Sequence, residues 1–165
     1  MIFLSEISRG AHKFAFLTDE VERSNATQDR FKASKEVSVM AWIENQFGDV
    51  LLLKQNRGNK LWTLPGGKVR QRESLREALK REVEEETGLQ IQFIALAGLF
   101  DRPQKAVITF LYTARIKGRS DIVTPKRTEI DSAKFSSSLP GDATPSLRFF
   151  WKRVHEGTLG AMPLG

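Results

Sequence analysis

One segment of this chain reads as a helix that turns carboxylates toward its own buried side. Residues 74–87 run Ser-Leu-Arg-Glu-Ala-Leu-Lys-Arg-Glu-Val-Glu-Glu-Glu-Thr, followed by Gly88. Ser74 and Glu77 have the spacing of a capping box, in which each side chain satisfies a backbone N–H of the other end of the first turn. Gly88 suits the left-handed stop after the last turn. Glu77 and Arg81 form an i,i+4 pair in the favourable order. At about 100° per residue, with Glu82 at zero, Leu75 falls near 20°, Ala78 near −40°, Leu79 near 60° and Val83 near 100°. Glu86 falls near 40° and Glu85 near −60°, so three glutamates continue the stripe that the apolar residues begin. Arg76, Glu77, Lys80 and Glu84 lie opposite and form an ordinary wet face.

That placement is costly on its own. Glu82, Glu85 and Glu86 stand at i, i+3 and i+4, where like charges repel. They also lie near the helix C-terminus, where the macrodipole disfavours anions. Carboxylates gathered against a core require a cation. Arg81 offsets one charge, and the remainder points to a bound divalent ion. The chain contains no cysteine, which excludes disulfides, thiolate zinc sites and thiol nucleophiles together. Oxygen-only ligation favours magnesium, with manganese as the alternative, over zinc.

The surroundings carry a resemblance. Residues 67–89 read Gly67, five residues, Glu73, seven residues, then Arg81-Glu82-Val83-Glu84-Glu85-Glu86-Thr87-Gly88-Leu89. This resembles the signature of the Nudix (MutT-like) hydrolases, with every defining position filled. From average residue frequencies, a chance match within a chain of this length has a probability on the order of 10⁻⁷. The lead-in Trp62-Thr63-Leu64-Pro65-Gly66-Gly67, and Arg57 ahead of it, are similar to the family as well. One departure stands out. Where relatives often carry a Val-Glu-Pro-Gly-Glu-like loop, this chain has Val69-Arg70-Gln71-Arg72-Glu73, so Arg72 replaces the usual glycine. Arg70 and Arg72 then either extend phosphate contacts or only coat the loop.

The resemblance implies an α/β (α+β) fold: a Nudix-type α/β/α sandwich with a mixed sheet and a loop-helix-loop metal site. It implies a Nudix domain over 37–156, with residues 1–36 as an N-terminal extension (an edge strand and connector, or a dimer contact) and 157–165 as a tail. It also implies Mg²⁺-dependent hydrolysis of a pyrophosphate bond in a nucleoside diphosphate linked to another group, a nucleotide sugar such as ADP-ribose or a nucleoside triphosphate. Metal ions would neutralise the polyanion, orient a water and lower its pKa. Glu82, Glu85, Glu86 and the carbonyl of Gly66 would be metal ligands, and Arg81 would hold the glutamates in place. Glu73 would act from the outer sphere, Gly67 would permit tight entry into the helix, and Arg57 would contact phosphate. Glu82 is the first choice of general base, with Glu129 and Asp101 as candidates outside the signature. Two rivals remain: an RNA 5′-end pyrophosphohydrolase, disfavoured by Leu64-Pro65-Gly66, and a non-catalytic Nudix-like nucleotide sensor, disfavoured by the intact signature.

The rest of the chain fits one globular unit. It has 165 residues, 40% hydrophobic and 28% charged, enough apolar side chain for a real core. No apolar run reaches the roughly 18–20 residues that span a bilayer, and Met1–Gly10 lacks the features of a signal peptide, so a soluble cytoplasmic protein is expected. The net charge is +6, yet residues 67–89 hold six basic and six acidic side chains, and most of the excess follows residue 89. It suits attraction of anionic nucleotides and does not require nucleic acid.

Strands are expected at 37–43 and 50–53, joined as a hairpin through a turn at 45–49, and again at 91–99 and 106–116. Residues 117–145 read as turn-rich, and Gly66-Gly67 would read as an ordinary turn only if the signature were absent. Thr144-Pro145 reads as N-cap and N1 of a final helix with a Leu147, Phe150, Trp151, Val154 stripe. Phe100, Phe110 and Tyr112 are read as core, His12 and His155 as structural, Lys54 and Lys60 as weak phosphate-contact candidates, and the Arg148–Arg153 stretch as a packed helix.

Overall fold

The computed structural model describes residues 34–118, 123–125 and 129–157. The edge strand expected within the N-terminal extension, His12, and the tail beyond Gly157 lie outside them. The described elements are β1 (Glu36–Ile43), β2 (Val50–Gln55), β3 (Trp62–Thr63), β4 (Gly66–Lys68), α1 (Leu75–Thr87), β5 (Ile91–Arg102), a 3₁₀ turn (Pro103–Lys105), β6 (Val107–Ile116), β7 (Ile130–Ser136) and α2 (Pro145–His155).

β1 is apolar on both faces because both faces are covered. Val39, Ala41 and Ile43 pack with Leu79 and Val83 of α1, whereas Met40 and Trp42 pack with Leu147, Phe150 and Trp151 of α2. β2 divides its residues the same way, Leu51 and Leu53 to the α1 side and Leu52 to the α2 side. Strands between two helical layers lose the usual alternation of polar and apolar residues. The α/β/α sandwich expected from the sequence is therefore present. Complete burial of Leu79, at 0% exposure, is worth about 1.5–3 kcal/mol.

The strands form two sheets, β4-β1-β6-β5 and β3-β2-β7. The first is mixed: β1 runs parallel to β6 and antiparallel to β4, with Met40 opposite Gly66 and Val39 opposite Gly67. The second is antiparallel. Two expectations are corrected here. β1 and β2 do not form a hairpin, because both edges of β1 are taken by β4 and β6, and only the bridge Glu44–Val50 joins them. The turn between them does form, with Asn45 Oδ1 accepting from the N–H groups of Phe47 and Asp49, both at 2.9 Å. Gly66 and Gly67 open β4. The turn-rich stretch hides β7, whose register against β2 includes Leu53 opposite Ala133.

Both helices begin and end as their sequences dictate. Ser74 and Glu77 make the reciprocal capping box, and Gly88 stops α1 at φ 73°. Thr144 caps α2 with Pro145 following, and its Oγ1 accepts from the N–H of Leu147.

Candidate functional site

The site is built where β4 meets α1. Arg81 is its hub. Its Nε donates to Glu73 Oε1 at 2.7 Å and its Nη2 to Glu73 Oε2 at 2.9 Å, a two-pronged pair. Nη1 reaches Glu82 Oε1 at 2.7 Å and Glu85 Oε2 at 3.4 Å, and Nη2 also donates to the carbonyl of Lys68 at 3.0 Å. Glu86, only 8% exposed, accepts at Oε2 from the N–H of Gly66 at 2.8 Å. Arg70 lies at the rim, its Nη2 3.4 Å from Glu85 Oε1.

The two glycines have separate reasons to be glycine. Gly66 sits at φ 146°, and a Cβ there would lie 2.1 Å from the carbonyl oxygen of Val39. A Cβ on Gly67 would lie 2.6 Å from the carboxyl carbon of Glu82. Gly67 therefore makes room for a carboxylate from within β4, which corrects the expected role in helix entry.

The electrostatics follow from this packing. The hydrogen bonds from Arg81, then that from the Arg70 N–H, hold the Glu73 carboxyl down at about 2. Arg81 is held protonated, chiefly by Glu73. Burial raises the Glu86 carboxyl to about 8; the Gly66 N–H opposes this, while Glu82, Glu129 and Glu85 add to it. The fold thus brings together Glu73, Arg81, Glu82, Glu85, Glu86, Gly66 and Gly67, residues separated by up to 20 positions.

Residues 34–144 match the family model of the NUDIX domain, about two thirds of the chain. The chain belongs to the Nudix family. It is 38% identical over 76 residues to a Bacillus subtilis protein named provisionally as an 8-oxo-dGTP diphosphatase, covering 46% of this chain and 50% of that one. It is 30% identical over 90 residues to diphosphoinositol polyphosphate phosphohydrolase 2 of Rattus norvegicus, covering 54% and 50%. The match thus spans about half the length of these curated relatives. Among solved structures, a MutT Nudix hydrolase from Burkholderia pseudomallei superposes with a TM-score of 0.65 at 26% identity, covering 73% of this chain and 98% of that one.

Among the described residues, no three acidic or histidine side chains stand close enough together to hold one ion as they are. The hydrogen bonds explain this: Glu82 and Glu85 each have an oxygen drawn to Arg81, and Glu86 has one drawn to Gly66. The donor set nevertheless fits. Glu73, Glu82 and Glu85 face Arg81 and Arg70, Glu86 lies against Gly66, every side-chain donor is a hard oxygen, and the three helix glutamates share one turn of α1.

Other sequence candidates fall elsewhere. Arg57 is exposed in the loop between β2 and β3, where its carbonyl accepts from the N–H of Lys60. Lys54 pairs with Asp142 and lies over the Trp62 ring, so it is engaged. Asp101 pairs with Lys35 at 2.6 Å, while exposed Glu129 acts electrostatically on Glu86. Tyr112 is buried, Phe110 packs against the α1-side core, and Phe100 stacks on Phe149 with centroids 4.4 Å apart, as core aromatics do. His155 stacks on Trp151, with Nδ1 2.9 Å from that residue's carbonyl. Arg148 hydrogen-bonds to the carbonyls of Gly141 and Ala143, consistent with a packed helix. The sequence reading missed the Lys68 carbonyl that anchors Arg81. A backbone acceptor has no residue-type signature, and only the register of β4 places it.

Proposed function

We propose that this chain hydrolyses a pyrophosphate bond in a nucleotide-derived substrate and uses Mg²⁺ to do so. The observation that carries the reading is the carboxylate ring around Arg81, with Glu86 buried against Gly66. Glu82, Glu85, Glu86 and the Gly66 carbonyl would hold the ion. When bound, the metal supplies charge neutralisation of the phosphates and a more acidic water.

The chain's own residues do the rest. Arg81 fixes Glu82 and Glu85 from behind, and Glu73 fixes Arg81, so the ligand oxygens are oriented before any ligand arrives. Glu82 keeps Oε1 on Arg81 and leaves Oε2 as proton acceptor for the attacking water. An open groove lined by Arg81, Glu84, Glu85, Gly88, Thr124 and Pro125 gives access beside these groups. The named activities of the two relatives both concern a diphosphate linkage, which supports that bond as the point of attack.

The experiment is a panel of nucleoside triphosphates and nucleoside diphosphate sugars incubated with Mg²⁺, with products separated to locate the cleaved bond. Turnover that stops with chelator is expected. Ligand binding without turnover across the panel would replace this reading with that of a nucleotide sensor.

A further inference from the structure

We propose that Arg70 and Arg72 form a phosphate-recognition arm that favours substrates carrying a phosphate beyond the linkage that is cut. The inference rests on the hydrolase reading and deepens it.

Residues 70–73 form a tight turn in which the N–H of Glu73 donates to the Arg70 carbonyl at 3.2 Å. The Glu73 side chain closes the same turn from the other side, accepting at Oε2 from the Arg70 N–H at 2.9 Å. Arg72 occupies the third position at φ 65°, where a turn of this kind calls for glycine or asparagine. A long side chain in the left-handed region is disfavoured, and such strain is a pointer to function when the side chain has a use. Arg72 is exposed, and among the described residues its guanidinium makes no ion pair or hydrogen bond, so packing does not account for it.

The turn is also rigidly seated. Glu73 is gripped by Arg81, which in turn contacts Glu82 and Glu85. Arg70 therefore stands at a set place, 3.4 Å from Glu85 with 62% of its side chain exposed. Exposed pairs of this kind are weak. Arg70 can exchange Glu85 for a phosphate, a better bidentate partner, at little cost. Two always-charged arginines on one pinned turn beside the carboxylates suit an added phosphate group. A neutral sugar offers them nothing comparable.

The test uses the full chain with Mg²⁺, a nucleoside triphosphate, a nucleoside diphosphate sugar, and the variants Arg70→Ala and Arg72→Gly. Wild type is expected to favour the triphosphate. Each variant is expected to reduce that preference, measured as the ratio of kcat/KM values, about tenfold through KM. Arg72→Gly relieves the backbone strain, so its Tm is expected at or above that of wild type, which separates lost recognition from misfolding. Calorimetric binding of inorganic tripolyphosphate to the Mg²⁺-loaded protein gives a readout independent of turnover, and both variants are expected to bind it about tenfold more weakly. If nothing is hydrolysed yet the variants weaken tripolyphosphate, the arm stands and the hydrolase reading fails. Hydrolysis with an unchanged ratio and unchanged tripolyphosphate affinity overturns the arm alone. Loss of Mg²⁺ binding in Arg70→Ala would make Arg70 a support for the carboxylates and would also overturn the proposal.

Discussion

Arg81 grips Glu73 through two parallel hydrogen bonds, at 2.7 and 2.9 Å, across eight residues of sequence. The pair joins the loop before α1 to the helix that carries the candidate ligands. Lysine retains the charge but cannot make the fork. Arg81→Lys is therefore expected to fold and to lose about 10–100-fold in Mg²⁺-dependent kcat, the usual effect of removing a group that orients metal ligands. Wild-type turnover in this variant would remove Arg81 from the site.

Glu85→Gln and Glu86→Gln should each abolish Mg²⁺-dependent hydrolysis while the circular dichroism spectrum stays native. Each substitution keeps shape and removes one anionic oxygen donor. Full turnover in both would sink the ligand assignment.

Glu86 makes the metal-free protein sensitive to pH. Burial raises its carboxyl from 4.5 to about 8 in the folded chain. Between those values the unfolded chain has released the proton and the folded chain still holds it. Folding stability therefore falls as pH rises through this window, by an amount on the order of a few kcal/mol. With chelator present, Tm should be lower at about pH 8.5 than at about pH 5.5, a trend that Glu86→Gln flattens and Mg²⁺ offsets at the alkaline end. Identical pH profiles for wild type and variant would contradict the assignment. Glu73 has the opposite sign: its carboxyl lies at about 2, so its contribution is complete above 4.5 and is lost only as pH falls toward 2.

The two neighbouring glycines should fail differently. In Gly66→Ala the new methyl meets the Val39 backbone at 2.1 Å, and the φ of 146° is strained for alanine. A loss of about 2–4 kcal/mol in chemical denaturation is expected. In Gly67→Ala the obstacle is the far end of the Glu82 side chain rather than backbone, and that end can give way at the expense of its hydrogen bond to Arg81. That variant should stay within about 1 kcal/mol of wild type in stability and lose turnover. Equal destabilisation of both would show that the Glu82 carboxylate does not lie over β4.

The sequence alone determined the local and periodic features. The Ser74–Glu77 box, the Gly88 stop, the Thr144-Pro145 start and the carboxylates continuing the Leu75–Leu79 stripe depend on interactions within a few residues, and they were legible at that range. The sandwich came from the resemblance that the signature carries, and the two covered faces of β1 and β2 bear it out. Tertiary structure decided what depends on partners distant in the chain. Whether β2 pairs along β1 or, past the Glu44–Val50 bridge, leads into another sheet turned on β4 and β6 occupying both edges of β1. Whether Gly67 served helix entry or a carboxylate turned on the packing that brings Glu82, 15 residues on, above β4. The strand Ile130–Ser136 stayed hidden because its pairing with β2, rather than its own composition, holds it extended. A strand's hydrogen bonds lie outside itself, whereas a helix closes its own, and that difference set the limit of the reading.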